Sequence, residues 1–453
     1  MLEQGCEDMS DRIILPEVNQ RAIQWRGQKS FLACSLLSLA IHSGCGASSS
    51  ETTDAFREVE TVVTTDVGDE EQTVLRSASR GSEIELASAT SFSTQETQGF
   101  TGPEQLLQEI ARLRTAPIDM LKQPVPGRPG EYAEVRLTPE QIEREKQLRW
   151  TQTIELATRI IARTHQDPGQ EQAFNSAVHY LSDARSHLAL TGKHEQATLL
   201  SQNAETLFQR DPTSFAAVEC ATRVLQLTQT LAGQGEALDP EWVLAYARQA
   251  RIFGANFPQE SHRAGVNVLA AARMCERIGQ LQEAETCLAW IEQSLPQTPF
   301  ADQAAGPLRR LRLVNEPLVE FGGSTLDGGY LTVDQLQGKP FLIAYWASNS
   351  DQFRADLPKI QSVVQQFRGR VGVVGVCLDA DDAMAQKFVQ QARLDWKQVF
   401  FSDPGRRGDA HPIARHYGVV DTPQYWLVDA QGVVKSVDVK LDGLEDQLIE
   451  CLK

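Results

Sequence analysis

No Cys-x-x-Cys pair occurs in this chain. The eight cysteines, Cys6, Cys34, Cys45, Cys220, Cys275, Cys287, Cys377 and Cys451, are scattered. None falls with histidine at zinc-ligand spacing, so neither a metal site nor a vicinal dithiol is expected. No cofactor is expected either. Basic charge is short as well: 43 Lys and Arg stand against 60 Asp and Glu, a formal net charge of −17. Without a basic stripe nothing releases phosphate counterions, which argues against nucleic acid as a partner and against a polybasic membrane patch. An acidic balance of this size chiefly favours solubility. The apolar run Phe31–Ile41 holds eleven residues, well short of the ~20 that a helical membrane span needs.

What is present is enough for two or three domains, since the chain has 453 residues and 41% of them are apolar. Its beginning reads as an export signal over residues 1–45. Arg21, Arg26 and Lys29 precede the short apolar run, and Ile41-His42-Ser43-Gly44-Cys45-Gly46 follows it. Small residues directly before a cysteine resemble a bacterial lipobox, in which Cys45 would be acylated. The membrane is then touched by a lipid anchor alone. His42 stands where an aliphatic residue is usual, and cleavage after Ala47 by an ordinary signal peptidase is the competing reading. A short core helix is the third. Glu3, Glu7, Asp8, Asp11 and Glu17 do not suit a signal's basic start, which is consistent with translation beginning at Met9 or later. Residues 46–102 are rich in Ser, Thr, Glu, Asp and Gly, too polar to offset ordering entropy, and read as a disordered tether.

Residues 103–312 read as helical. Leu106, Leu107, Ile110 and Leu113 recur at helix spacing, and Pro139 opens a long helix with proline in its first turn. Pro168, Pro212, Pro258 and Pro296 then punctuate the region at intervals of 44, 46 and 38 residues, each interval about the length of a helical pair. A Gly-x-x-x-x-Ala turn occurs twice, at Gly192–Ala197 and Gly279–Ala284. The pattern resembles degenerate tetratricopeptide-type repeats and implies an all-α stack of helical hairpins with a groove for a protein or peptide. An irregular helical domain without a binding role fits the same pattern. Cys275 and Cys287 flank the second of these turns, either as buried free thiols or as a bridged pair.

Residues 313–453 carry the most specific signal. Gly338–Pro358 is an apolar strand, Phe341–Trp346, followed by Ala-Ser-Asn-Ser-Asp-Gln-Phe and then Ala355-Asp-Leu-Pro358. Arg370–Asp379 reads as a second buried parallel strand, and Tyr417-Gly-Val-Val-Asp-Thr-Pro423 runs into a closing hairpin and a final helix. Together with the leading hairpin from Pro317 to Pro340, these segments resemble thioredoxin-like proteins, in particular the membrane-anchored thiol-disulfide oxidoreductases of the TlpA/ResA kind. The resemblance implies an α/β domain with a central mixed sheet flanked by helices. It also implies a cis bond at Thr422–Pro423, with a substrate groove beside it and Trp346 near the site.

In that family the start of the first helix holds the two exchange cysteines. Here those positions are Ser350 and Phe353. Exchange needs a thiolate. A serine hydroxyl ionises far higher, and a helix dipole supplies only ~0.3–1 kcal/mol, so Ser350 reads as a helix cap and Phe353 as a packing residue. Some thioredoxins keep a buried acid two residues before the Trp, where this chain has Ala344. Peroxidase-type relatives also need a cysteine nearby, and residues 341–360 hold none. Cys377 and Cys451 read as core thiols, and His411 and His416 as helix-surface residues without a ligand set. No catalytic residue is therefore expected. The favoured reading is an exported, lipid-anchored, redox-inactive polypeptide-binding protein of the cell envelope, on its periplasmic side. The alternatives are an oxidoreductase using non-standard cysteines and a structural envelope protein.

Overall fold

The structure is a computed structural model, and it describes residues 102–124, 132–319 and 321–453. The export signal expected over 1–45, Cys45 within it, and all of the expected tether but Gly102 lie outside the described residues.

The first part is helical: α1 (Pro103–Thr115), α2 (Pro139–Thr164), α3 (Glu171–Leu190), α4 (Glu195–Arg210), α5 (Phe215–Ala232), α6 (Pro240–Asn256), α7 (Ser261–Arg277), α8 (Leu281–Ser294) and α9 (Pro299–Leu311). Local chemistry sets their starts. Thr138 and Gln141 form a reciprocal capping box at α2. Asp239 accepts from Glu241 N and Trp242 N, at 3.0 and 3.2 Å, ahead of α6. Proline occupies the first turn of α1, α2, α6 and α9. Each of the four punctuating prolines lies between helices, and the three intervals contain the pairs α3–α4, α5–α6 and α7–α8. The repeated turn explains itself: Gly192 and Gly279 take φ of 95° and 76°, left-handed values that a side chain resists. Ala197 and Ala284, five residues on, are buried where the next helix packs close.

One element departs from the helical expectation for 103–312. Strands β1 (Met120–Pro124) and β2 (Tyr132–Arg136) form an antiparallel pair with Met120 opposite Arg136. Every side chain of β2 is exposed. With no buried face it has no apolar alternation, which is the signal that would have marked it.

The C-terminal part holds a small hairpin, β3 (Gly322–Ser324) with β4 (Tyr330–Thr332), and then β5 (Phe341–Trp346), α10 (Asp351–Gln366), β6 (Gly372–Cys377), α11 (Asp382–Ala392), β7 (Gln398–Val399), α12 (Pro412–Tyr417), β8 (Gln424–Val428), β9 (Val434–Ser436) and α13 (Leu444–Cys451). The sheet order is β7-β6-β5-β8-β9, with β5, β6 and β7 parallel, β8 antiparallel to β5, and β9 antiparallel to β8. This is the thioredoxin-like α/β architecture, a mixed sheet flanked by helices.

Strand β5 is buried on both faces, and its alternating side chains divide the core in two. Leu342, Ala344 and Trp346 point to a cluster formed with Phe353, Leu357 and Ile360 of α10, Phe388 of α11 and Leu448 of α13. Phe341, Ile343 and Tyr345 point to the opposite face. There they share one continuous core with Tyr417 of α12, Leu308 and Leu311 of α9, and the helical hairpins beyond. The helical part thus supplies cover for one face of the sheet. Among the described residues no helix is long and apolar enough to cross a membrane.

Candidate functional site

The site lies where β5 ends and α10 begins. Ser350 is the N-cap of α10, and its Oγ accepts from Phe353 N at 3.2 Å. Asp351 adds a carboxylate in the first turn, where the helix dipole favours it, and pairs with Arg354 at 2.6 Å. The turn before the helix is pinned from β6 onward: Ser348 donates to Asp379 Oδ1 through its backbone N at 2.9 Å and its Oγ at 3.1 Å. Arg354 also donates to the Ser348 carbonyl.

Phe353 has no exposed surface. Its ring stacks on Trp346, with centroids 5.4 Å apart and planes within 12°, and Phe388 closes on the same indole at 5.1 Å. Trp346 is itself buried and donates from Nε1 to Gln398 Oε1 at 2.9 Å. The position at which a second sulfur would sit is thus part of an aromatic stack. Burial of this kind stabilises the fold by roughly 1.5–3 kcal/mol per large side chain.

The Thr422–Pro423 bond is cis. It immediately precedes β8, whose register with β5 pairs Tyr345 with Gln424, so the next step along the two strands brings Trp346 and Pro423 to the same end of the sheet. Thr422 and Pro423 are half-buried, whereas Val420 and Asp421 just before them are exposed. Trp346, Ser350, Phe353, Thr422 and Pro423 therefore gather at one edge, where β5 stops and β8 starts.

The β5–β6 register sets Cys377 directly beside Trp346. Its side chain is fully buried. Burial, and then the neighbouring carboxylate of Asp379, push its thiol far above the ordinary cysteine range. Cys451 is half-buried, and burial raises its thiol too.

Two residues stand differently from what the sequence suggests. Ala344 occupies the strand position where an acid was sought, yet a buried carboxylate is present one turn into α10. Asp356 accepts from Tyr425 Oη and from Gln352 Nε2, both at 2.8 Å, and burial together with Asp356 raises the Tyr425 phenol well above its usual range. The signal for it was the Asp-Leu-Pro sequence itself, read only as a helix motif. His411 was expected on a helix surface but is fully buried. Its Nδ1 caps α12, accepting from Ala414 N at 3.4 Å, and its ring meets Phe401 edge-on at 5.0 Å. Burial, with Arg406 nearby, holds its pKa down to about 4. The first turn of α12 requires a cap, and His411 directly before Pro412 fills that place. His416 is half-exposed beside Arg309. No group of three or more His, Cys, Asp and Glu suited to a metal occurs among the described residues.

Residues 314–437 match the family described as AhpC/TSA. No curated protein matches the chain. Among solved structures, one similar chain is the thioredoxin domain of a thiol-disulfide oxidoreductase from Bacteroides vulgatus, at 19% identity, covering 31% of this chain and 98% of that one with a TM-score of 0.28. Another is a secreted Mycobacterium tuberculosis disulfide oxidoreductase, at 23% identity over 29% and 96% of the two chains, TM-score 0.25. A third is a thiol:disulfide interchange protein of the thioredoxin family from Chlorobium tepidum, at 18% identity over 30% and 96%, TM-score 0.26. The sheet order of the C-terminal part is that of a thioredoxin-like α/β fold, and the AhpC/TSA match falls on this same part of the chain.

Proposed function

We propose that this chain is an exported polypeptide-binding protein whose thioredoxin-like domain keeps the frame of a disulfide-exchange enzyme without its chemistry. One observation carries the reading: the two places that need sulfur are given to a helix cap and a core ring. Ser350 holds the first turn of α10, and Phe353 is stacked against Trp346. Neither side chain has an ionisation that supplies a nucleophile near neutral pH. The partner is a protein or peptide, held in extended form beside the half-buried Thr422–Pro423 or along the helical hairpins; Trp346, expected to line that groove, is fully buried under Phe353 and Phe388 and supports it from beneath. The layout of residues 21–47 supports export, with acylation at Cys45 as the anchor.

A second reading, an oxidoreductase using a non-standard cysteine, is favoured only by the position of Cys377 next to Trp346. Its burial and raised thiol pKa weigh against it.

Reduction of insulin disulfides by dithiothreitol separates the two. The first reading expects the uncatalysed rate. Catalysis that disappears in Cys377→Ala establishes the second. Binding is tested by fluorescence anisotropy on a panel of extended peptides, with Thr422→Trp expected to weaken it. A panel that shows no binding, or binding indifferent to that substitution, removes the groove from the proposal. Labelling with radioactive palmitate, lost in Cys45→Ala, tests the anchor.

A further inference from the structure

Three segments form the end of the sheet where β5 and β6 stop and β8 starts: residues 348–354, 379–384 and 420–423. Leu378 N donates to the Trp346 carbonyl at 2.7 Å, Asp379 holds Ser348, and the Arg354 guanidinium lies over the Phe388 ring at 5.7 Å. The starts of α10 and α11 therefore stand side by side. Together the three segments carry five carboxylates, Asp351, Asp379, Asp381, Asp382 and Asp421, and one cation, Arg354. That cation is taken up by Asp351 and by the Ser348 carbonyl. Arg407, from the loop before α12, comes within 3.9 Å of Asp382, but it donates to the carbonyls of Phe401 and Ser402 at 2.7 and 2.8 Å. Two of the carboxylates have local work: Asp379 pins Ser348, and Asp381 caps α11 by accepting from Ala383 N and Met384 N. Asp382 and Asp421 are exposed, and Asp421 enters no ion pair among the described residues.

Two further observations at this edge point to a ligand. Val420, at 80%, is the most exposed large apolar side chain among the described residues, and Met384 is 56% exposed. The backbone N–H groups of Val420, Asp421 and Thr422 meet no acceptor among the described residues. Carbonyls of an added extended chain can satisfy such donors, and its side chains can cover the apolar tips.

Resting on the reading of this edge as a polypeptide groove, we propose that its ligand is a basic extended segment. Its lysine or arginine side chains are set against Asp382 on one side of Ser350 and Asp421 on the other. The sheet order β6-β5-β8 fixes that arrangement, because Ser350 follows the middle strand, Asp382 follows β6 and Asp421 precedes β8. Strands β6 and β8 are two strand spacings apart, roughly 10 Å, which is the reach of about three residues of extended chain. Cations about three residues apart in the ligand therefore meet both carboxylates, with apolar residues between them for Val420 and Met384. An acidic segment would add like charge to an edge that already holds five carboxylates, and like-charge juxtaposition is what rejects a wrong partner.

The test is fluorescence anisotropy of rhodamine-labelled peptides with the full chain. The probes are three peptides, each made of a triplet repeated three times: Lys-Val-Ser, Glu-Val-Ser or Ser-Val-Ser. The lysine peptide is expected to bind about tenfold tighter than the glutamate peptide, and to weaken as salt rises. Asp382→Lys/Asp421→Lys is expected to reverse that order. Asp446→Lys/Glu450→Lys makes the same change in net charge at exposed positions of α13 and is expected to leave the order as it was. Equal affinity for the three peptides, with Thr422→Trp weakening all of them, overturns the charge assignment and leaves the groove standing. A lysine preference that survives Asp382→Lys/Asp421→Lys, or that both double variants reduce equally, overturns it as well. Binding of none of the peptides overturns both the charge assignment and the groove.

Discussion

A β-carbon on Gly306 would stand 2.7 Å from the backbone nitrogen of Gly418 and 2.9 Å from its Cα. Gly306 belongs to α9 of the helical part, and Gly418 closes α12 of the thioredoxin-like domain at a left-handed φ of 61°. A β-carbon on Gly418 would in turn meet the Pro307 ring at 2.2 Å. Backbone therefore meets backbone where the two parts join, and neither position has room for a methyl group. Gly306→Ala is expected to destabilise the chain by ~1–3 kcal/mol through overpacking. Gly418→Ala, which adds left-handed strain, is expected to cost more. Urea unfolding followed by tryptophan fluorescence measures both, and a change below ~0.5 kcal/mol in either would mean that the contact yields without cost.

Arg310 works beside that contact. It is only 3% exposed, donates to the carbonyls of Gly418 at 2.9 Å and Tyr417 at 3.4 Å, and pairs with Glu276. Burial, with Asp438 and Asp421 nearby, raises the Glu276 carboxyl, and Arg310 opposes that rise most, with Arg273 adding to it. Replacing Arg310 with methionine leaves a half-buried carboxylate and two carbonyls without their donor. The expected loss is ~1–3 kcal/mol. Adding Glu276→Gln to Arg310→Met should recover part of it, because the stranded charge is gone. A double mutant as unstable as Arg310→Met, or more so, would show that the carboxylate is not the source of the loss.

The buried His411 makes stability depend on pH in a defined direction. Its folded-state pKa, about 4, lies below the ordinary value near 6.5. Above pH ~6.5 the ring is neutral in both states and adds no pH dependence. As the pH falls, the unfolded chain takes up the proton first, so stability falls through the window from ~6.5 to about 4 and levels off below it. The loss attributable to this residue is on the order of 3 kcal/mol. Asparagine is a good helix cap without a titration in this range, so His411→Asn should abolish this component. The check is the difference between wild-type and variant stabilities measured from pH 7 to pH 4. A difference that does not change with pH would remove the role assigned to this histidine.

What the sequence revealed follows from how local each signal is. The turn glycines, the punctuating prolines and the Phe341–Trp346 run state their conformational demands within a few residues, and the structure places elements accordingly. The helix cap at Ser350, the packing ring at Phe353 and the cis bond at Thr422–Pro423 were legible because they sit in a short ordered pattern. His411 was not legible, because its burial depends on Phe401 ahead of it and on the docking of α12, both set by tertiary packing. Asp356 was missed for a related reason: its partner Tyr425 lies 69 residues away, on strand β8. The sharing of one sheet face with α9 was equally hidden, since apolar residues of a helix do not announce which domain they will cover.

The sharpest prediction concerns restoring what the first turn of α10 lacks. Ser350→Cys puts a thiol at a helix N-terminus, where unpaired backbone N–H groups favour an anion, so its pKa is expected below the ordinary 8.5. The rate of iodoacetamide alkylation against pH reads that value directly. The substitution also removes a cap, at a cost of about 1 kcal/mol. Phe353→Cys behaves differently, because the ring it removes stacks on Trp346 and lies at a tilt against Phe388. Its expected cost is ~3–5 kcal/mol, the range of aromatic truncation in a core. The double variant Ser350→Cys/Phe353→Cys should therefore be less stable than wild type yet reduce insulin above background, since the strand, cap position and neighbouring Pro423 are already in place. If Ser350→Cys alkylates with an ordinary or raised pKa, the start of α10 does not hold the electrostatics of an exchange site. The serine would then mark a domain whose frame differs from that of an oxidoreductase in more than two side chains.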